Sequence, residues 1–307
     1  MTRTRRQKLI ATWEGLSGNA RGSVWLLAAG LFATVMITGI KFVGQRLPVL
    51  EILFFRQMFV FILLTPILAR EFPNTFLSNR WKLHILRCLV SIIAMTTGFT
   101  AVVHLPLAEA TAISFSRALF ATLLAIIVLK EVVGVRRWGA TVVGFLGVVI
   151  IVRPSPEGVN EFALLAILSA ALVACNLIMT KRLSETESPT TIMAYHAGVL
   201  TVAYAIPTCW LWVEPTWLEM GFIVAIAMLM SIVQYCMING YKQAEASAAQ
   251  PLEYVRLIYA AAIGFLVFGE IPTIWTWSGA ALIIASSLYT IRRNAMTDHK
   301  SCRNRNK

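Results

Sequence analysis

Long apolar runs alternate with short polar connections along most of the chain. A helix that crosses a bilayer needs about 20 predominantly apolar residues, in a range of about 17–25. Ten runs approach or reach this length: 23–43, 51–69, 84–103, 109–129, 138–152, 162–180, 190–212, 218–240, 247–268 and 274–291. The pattern predicts an all-α polytopic membrane protein with ten transmembrane helices, in which no connection is long enough to hold a soluble domain.

An internal repeat divides the chain into two units. The stretch from Ala108 to Arg153 recurs between Ala244 and Arg292, and both copies open with Ala-Glu-Ala. From Arg117 onward the copies align without a gap, at the constant offset that separates Arg117 from Arg256. The matched pairs are Arg117 with Arg256, Glu131 with Glu270, Trp138 with Trp277 and Arg153 with Arg292. A repeat of this kind indicates duplication of one structural unit.

Each unit holds five predicted spans, an odd number, so the second unit enters the membrane from the opposite side. The expected organisation is a tail over 1–22, a first five-helix repeat over 23–153, a second over 162–292 and a tail over 293–307. Inverted repeats of this kind are typical of secondary transporters, which bind substrate near the bilayer midplane between the halves. We therefore expect transport by alternating access.

Composition and charge agree with this interpretation. Hydrophobic residues make up 58% of the chain and charged residues 14%, whereas soluble domains carry about 25% charged residues. With the N-terminus in the cytoplasm, 20 lysines and arginines fall on that side and 3 on the other, so both termini are predicted to be cytoplasmic. Basic loops beside anionic lipid then account for the net charge of +12 without a nucleic-acid partner.

Residues that other chemistries need are scarce. Asp298 is the only aspartate and lies in the C-terminal tail, which argues against membrane enzymes with aspartate-rich metal or diphosphate motifs. The chain has no Gly-x4-Gly-Lys-[Ser/Thr] loop, so no P-loop ATPase is expected. Its five cysteines are not at metal-ligand spacing and are expected to be small core hydrophobes. An enzyme is not expected, and no cofactor or metal is implied.

Charged side chains inside predicted spans are candidate substrate ligands, because a charge at the bilayer centre costs about 2.5–3.5 kcal/mol on insertion scales. Glu253 and Arg256 lie three residues apart on one helical face, either as a self-neutralised pair or as a pair that exchanges one partner for a substrate group. Arg117 has Ser114 in place of an acid at that spacing. It either faces an anion or water, or pairs across helices with Glu109 or Glu253. The substrate-binding candidates are Arg117, Asn176, Gln234, Glu253, Tyr254 and Arg256.

Three further basic side chains, Lys41, Arg56 and His196, are candidates for gating or coupling. Lys41 closes the first span and either anchors the helix end or acts at a gate. Arg56 follows Glu51 by about one turn, so pairing with Glu51 or snorkelling to the interface is the expected role. His196 is the only histidine well inside a predicted span. It is expected to be either a core imidazole whose hydrogen bonds are satisfied or a proton carrier.

Other polar residues have two open roles. Asn176 is expected either to line the cavity or to join two helices by a hydrogen bond. The hinge acids Glu131 and Glu270 sit just outside the apolar runs, where capping or hinge roles are favoured over substrate contact. Small residues at short spacing, among them Gly139, Gly144 and Gly147, predict close helix packing.

Several short motifs resemble the EamA-type drug/metabolite transporters. They are Phe54-Phe55-Arg56, His84-Ile85-Leu86-Arg87, Leu105-Pro106-Leu107-Ala108-Glu109-Ala110, Val142-Val143-Gly144-Phe145-Leu146-Gly147, Arg153-Pro154 and Gly269-Glu270. They occur in order across about residues 23–293, nearly the whole chain. The resemblance implies an inner-membrane secondary transporter with a small-molecule substrate.

Within that family the sequence is similar to bacterial S-adenosylmethionine-type and riboflavin-type uptake carriers. This similarity favours riboflavin uptake, with transport of S-adenosylmethionine, amino acids or other metabolites, including export, as the alternative. Relatives often have a proline in the middle of span 4, where this chain reads Ser116-Arg117-Ala118. The competing classes are an intramembrane enzyme and a non-transporting membrane subunit. The expected partners are the substrate and the lipid bilayer, and the sequence allows a homo-oligomer.

Overall fold

A computed structural model of the chain describes residues 18–71, 78–129, 135–153, 160–243 and 252–305, which contain helices and no strand. The helices are α1 (Gly18–Val43), α2 (Val49–Glu71), α3 (Trp81–His104), α4 (Leu107–Ser114), α5 (Arg117–Leu129), α6 (Val135–Val152), α7 (Glu161–Ser184), α8 (Pro189–Leu211), α9 (Trp217–Gln243), α10 (Arg256–Phe268) and α11 (Ile274–Arg305). Residues 1–17 of the predicted N-terminal tail and the hinge acid Glu131 lie outside the described residues.

Seven described segments are long and apolar enough to cross a membrane: Ala20–Val43, Val49–Pro66, Trp81–His104, Leu107–Leu124, Glu161–Ser184, Pro189–Leu211 and Trp217–Gly240. Shorter apolar helices cover Trp138–Val152, Arg256–Phe268 and Ile274–Tyr289, where the other three predicted spans lie. The all-helical membrane fold is confirmed, while the number of ten crossing helices stays a prediction.

The outer surface of the helices is apolar. Trp217 is 93% exposed, Leu266 78% and Val202 64%, and many other large apolar side chains are exposed along the spans. A contiguous apolar surface of this kind on a folded chain marks a membrane-facing region. The bilayer therefore completes the burial of these side chains.

The way the helices pair follows a two-fold repeat. Such a repeat relates α1 to α7, α3 to α9, the segment α4–α5 to α10, and α6 to α11. The structure packs α1 against α9 and α3 against α7, and these two pairs exchange under that relation. The contacts of α5 with α7 and of α10 with α1 exchange in the same way, while α2 with α8 and α6 with α11 map onto themselves.

Glycines set the closest approach between α6 and α11. A Cβ atom on Gly147 would lie 2.7 Å from the carbonyl oxygen of Gly279, and one on Gly279 would lie 2.5 Å from that of Gly147. Gly144 is equally crowded, with Leu119 at 2.6 Å, whereas a Cβ on Gly139 would meet nothing within 4 Å. The predicted role in close packing thus holds for Gly147 and Gly144 but not for Gly139.

We expect Gly147→Val to lower the melting temperature of the purified protein by several degrees, because backbone and not a flexible side chain occupies the space. Gly139→Val is the matched control, since it makes the same change on the same helix where space is open. Equal melting temperatures for the two variants would contradict this account of the contact.

Candidate functional site

The fourth predicted span is interrupted near its middle. Helix α4 ends at Ser114 and α5 begins at Arg117. Between them the peptide N–H of Ala118 donates to the carbonyl of Phe115 at 3.1 Å, a three-residue step instead of the four-residue step of an α-helix. The interruption places Arg117 at the start of a new helix within the apolar span Leu107–Leu124.

The ninth predicted span is interrupted at the equivalent place. Helix α10 begins at Arg256, and the N–H of Leu257 donates to the carbonyl of Tyr254 at 3.0 Å. The repeat offset relates this interruption to the first, so both repeats place an arginine immediately after a tightened turn. Discontinuous helices at the repeat interface are where secondary transporters bind substrates and coupling ions.

The two interrupted spans contact each other reciprocally. The Arg117 Nη2 lies 3.0 Å from the Glu253 Oε2, and the Arg256 Nη2 donates to the Ser114 Oγ at 3.3 Å. Each arginine therefore meets the residue three positions before the other arginine. We call Ser114, Arg117, Glu253 and Arg256 the central site. Of the two interpretations of Arg117, the structure shows the pairing with Glu253 across helices.

The central site carries an unbalanced positive charge. Its two arginines face one carboxylate, because Ser114 occupies the position that Glu253 has in the other repeat. The Nε of Arg256 is buried and has no acceptor among the described residues, and its guanidinium lies 5.9 Å from the centre of the Phe115 ring. A buried donor without an acceptor costs free energy until a ligand or water supplies one.

Two cavities meet at the central site. One, of about 120 Å³, is lined by Arg117, Glu253 and Arg256 together with α1 and α9. The other, of about 90 Å³, is lined by small residues of α3, α4 and α7, including Gly98 and Ser169. Arg117 lines both cavities. Side chains of Arg117 and Glu253 are 33% and 25% exposed, so their ion pair is accessible from the cavities.

A second group of polar contacts ties three segments together at one end of the bundle. The ammonium of Lys41 pairs with the Glu270 carboxylate and donates to the carbonyl of Leu105 at 2.5 Å. The other oxygen of Glu270 accepts the N–H of Leu107 at 2.7 Å. These four residues form the Lys41–Glu270 cluster, which joins the end of α1, the turn between α3 and α4, and the residues after α10.

Arg46 makes another connection between the repeats at this end. It donates to both carboxylate oxygens of Glu219, at 2.6 and 2.5 Å, and to the carbonyl of Glu214 at 2.8 Å. The hydrogen bond to Glu219 raises the pKa of the Arg46 guanidinium above its usual value. Because the Arg46 side chain is 48% exposed, this pair contributes little to stability.

The structure places three predicted residues away from the cavities. Asn176 donates to the Ser91 hydroxyl on α3, so it joins two helices. Gln234 is exposed on α9, whose Val233 and Met237 line the cavity instead. His196 is partly buried on α8 and lines neither cavity.

Arg56 also requires a correction. It is 5% exposed, so it does not snorkel, and it belongs to none of the ion pairs among the described residues. The Glu51 carboxylate instead accepts the N–H of Val213 at 3.2 Å. The predicted pairing of Arg56 with Glu51 is therefore wrong.

The sequence interpretation overlooked an aromatic pair. The rings of Phe115 and Tyr254 pack edge to face with their centres 5.0 Å apart, shortly before Arg117 and Arg256 in the chain. Phe115 and Tyr254 are also related by the repeat offset, which could therefore have identified Phe115. Tyr254 lines neither cavity itself and supports the wall through Phe115.

Interrupted membrane helices that meet across two repeats around a charged cavity define an integral membrane transporter. The chain belongs to the EamA-like transporter family, whose family model matches residues 20–153 and 161–292. The family and its named relatives are transporters and not enzymes. Among the described residues, no group of three or more His, Cys, Asp or Glu side chains could hold a metal ion.

Two relatives show how similar the chain is to named transporters. It is 31% identical over 279 residues to an S-adenosylmethionine uptake transporter of Rickettsia bellii, covering 91% of this chain and 96% of the relative. It is 31% identical over 283 residues to a riboflavin transporter of Brucella anthropi, covering 88% and 98%. The chain is thus a multi-pass protein of the bacterial inner membrane that transports a small molecule.

The fold has a counterpart among solved structures. One crystal structure aligns with a TM-score of 0.61, covering 91% of this chain and 99% of its own. The sequence identity is 14%, so this likeness concerns the fold alone.

Proposed function

We propose that the chain imports a metabolite that joins an α-amino acid group to a flat heterocycle, the chemistry of S-adenosylmethionine, by alternating access. The observation that supports this most is the charge arrangement of the central site. Arg256 has an unused donor, while a carboxylate, Glu253, lies within reach of the same cavity. An amino acid group carries one charge of each sign and matches both.

The binding step follows from these charges. The ligand carboxylate accepts hydrogen bonds from the Arg256 guanidinium. It thereby provides the acceptor that the Nε of Arg256 lacks. The ligand ammonium competes with Arg117 for Glu253. Because two arginines face one glutamate, the ligand carboxylate supplies a second anionic partner for them, while the ligand ammonium offsets it, so the head group leaves the net charge of the site unchanged.

Cavity size indicates how the ring is accommodated. The cavities measure about 120 and 90 Å³, below the 300–1,000 Å³ that is usual for ligand sites. Movement of the Arg117 side chain, once Glu253 has a new partner, joins the two. The small residues around Gly98 and Ser169 then offer room for a flat ring beside the amino acid group.

Alternating access requires that one end stays shut while the other admits solute. The Lys41–Glu270 cluster and the Arg46–Glu219 pair both join the repeats at one end. With both termini in the cytoplasm, as the charge distribution predicts, this end faces outward. Opening it requires separation of Lys41 from Glu270, which makes Lys41 a gate residue.

Riboflavin is the second candidate substrate. It is neutral, so it adds no charge to a site that already carries an excess arginine, and a relative with this substrate is 31% identical. Its flat ring could lie beside the small residues around Gly98 and Ser169 that line the second cavity.

A counterflow experiment tests both substrates. Purified protein in liposomes preloaded with either unlabelled compound should accumulate the labelled form of its true substrate. Counterflow with neither compound would contradict both assignments.

Glu253→Gln distinguishes the two substrates. If Glu253 receives an ammonium group, the variant should lose uptake of S-adenosylmethionine by about tenfold or more, since a hydrogen bond to a charged group contributes about 1.5–3 kcal/mol. Riboflavin uptake should change little, because riboflavin has no ammonium group. Glu161→Gln, at the start of α7 and away from both cavities, is the matched control. Unchanged S-adenosylmethionine uptake by Glu253→Gln would rule out this head-group assignment.

A further inference from the structure

A second buried cation lies apart from the central site. Arg56 belongs to the apolar span Val49–Pro66, is 5% exposed and lines neither cavity of the central site. Burial of an arginine at this depth is costly unless an anionic or strongly polar partner is present. None of the ion pairs among the described residues includes it.

The contacts of Arg56 are with neutral groups. Its Nη2 donates to the Gln57 Oε1 at 3.1 Å and approaches the Met95 Sδ at 3.9 Å. The guanidinium carbon lies 5.3 Å from the centre of the Phe99 ring. Met95 and Phe99 in turn pack against the apolar cluster that contains Leu53. The positive charge is therefore held among apolar and uncharged polar groups.

Two donors at this place lack acceptors. Arg56 Nε and Gln57 Nε2 are both buried without a hydrogen-bond partner among the described residues. Gln57 is 2% exposed, and its oxygen is already used by Arg56. What is missing is an acceptor and not a donor. A water molecule could accept these hydrogen bonds, but it would leave the charge uncompensated.

The repeat relates Arg56 to a second residue with a basic side chain. Arg56 and His196 are separated along the chain by the same interval as Lys41 and Lys181, which close equivalent predicted spans. His196 lies on α8, which packs against α2. The repeat thus places a residue with a basic side chain at equivalent positions on two helices that contact each other.

We propose that Arg56 and Gln57 bind a single small anionic acceptor between α2, α3 and α8, separately from the central site. The acceptor is either a free halide-sized anion or a small carboxylate group such as that of the transported solute. Both sources share the chemistry that the site lacks, one negative charge and the capacity to accept several hydrogen bonds. A chloride ion or a carboxylate would satisfy the Nε of Arg56 and the amide of Gln57 together.

The test uses the melting temperature of the full-length purified protein without substrate. In sodium gluconate, whose anion is too large for an enclosed site, we titrate chloride in one arm and acetate in the other at constant ionic strength. Binding should raise the melting temperature saturably by about 3 °C or more, because a ligand that binds the folded state stabilises it by mass action. A rise with chloride identifies a free anion, and a rise with acetate alone identifies a carboxylate group.

Variants locate the effect. Arg56→Gln should abolish the rise and, in gluconate alone, should melt no lower than the wild type, because it removes an uncompensated buried charge. Arg256→Gln should keep the rise, which excludes binding at the central site. A wild type that responds to neither anion, or an Arg56→Gln variant that responds fully, would overturn the proposal.

Crystallography provides a second measurement that does not depend on the variants. Crystals of the wild type soaked in bromide should show an anomalous peak within hydrogen-bond distance of the Arg56 guanidinium if the site takes a halide. If only acetate raises the melting temperature, density for acetate is expected there instead. Absence of both from this place would refute the site.

Discussion

Replacement of Arg256 by glutamine should reduce uptake of the true substrate by about 30-fold or more. Loss of one partner of a buried, charged hydrogen bond costs about 2–5 kcal/mol, and about 1.4 kcal/mol corresponds to a factor of ten. Arg256 has a donor that no described residue satisfies, so its loss affects ligand binding more than packing. The effect should appear in liposome uptake while the amount of inserted protein stays normal.

Two comparisons make this prediction specific. Arg256→Lys keeps the charge but not the planar pair of donors, so its uptake should fall between the wild type and Arg256→Gln. Arg182→Gln, at an exposed position near the end of α7, should transport normally. Wild-type uptake by Arg256→Gln would exclude Arg256 as a substrate ligand.

Replacement of Lys41 by alanine should both destabilise the protein and impair transport about tenfold or more. Lys41 is 5% exposed, and its removal leaves the Glu270 carboxylate partly buried with no cation beside it. Breaking a buried ion pair from one side costs about 3–5 kcal/mol. Transport should decrease as well, because the end of the bundle at which this pair joins the two repeats would no longer close reliably. Melting temperature and liposome uptake measure the two effects.

The exchanged pair Lys41→Glu with Glu270→Lys should recover part of the stability but not all of it. The new carboxylate would face the carbonyl of Leu105, and the new ammonium would face the N–H of Leu107, so both backbone contacts would be mismatched. Arg46→Ala breaks a pair at the same end whose arginine is 48% exposed, and it should lower the melting temperature much less than Lys41→Ala does. If Lys41→Ala behaves like Arg46→Ala, the cluster does not close this end.

The repeat offset was enough to predict the two arginines of the central site from the sequence. It identified Arg117 and Arg256 as equivalent residues, while Glu253 became a candidate because it is a charged residue inside a predicted span; all three line one cavity. It could not show that Arg117 pairs with Glu253 in preference to Glu109, since that choice depends on how two helices are rotated against each other. For the same reason it could not show that Val233 and not Gln234 lines the cavity, because the rotation of α9 decides which of the two faces inward.

The sequence by itself determined that this protein is a helical membrane transporter with two related halves, because span length, charge content and the repeat are properties of the chain alone. Only the tertiary structure decided the partners of the charged residues, such as Lys41 with Glu270, which are 229 residues apart. In a bilayer, lipid-facing and core-facing positions are both apolar, so local pattern does not fix the rotation of each helix. The contacts among charges follow from that rotation and from helix packing.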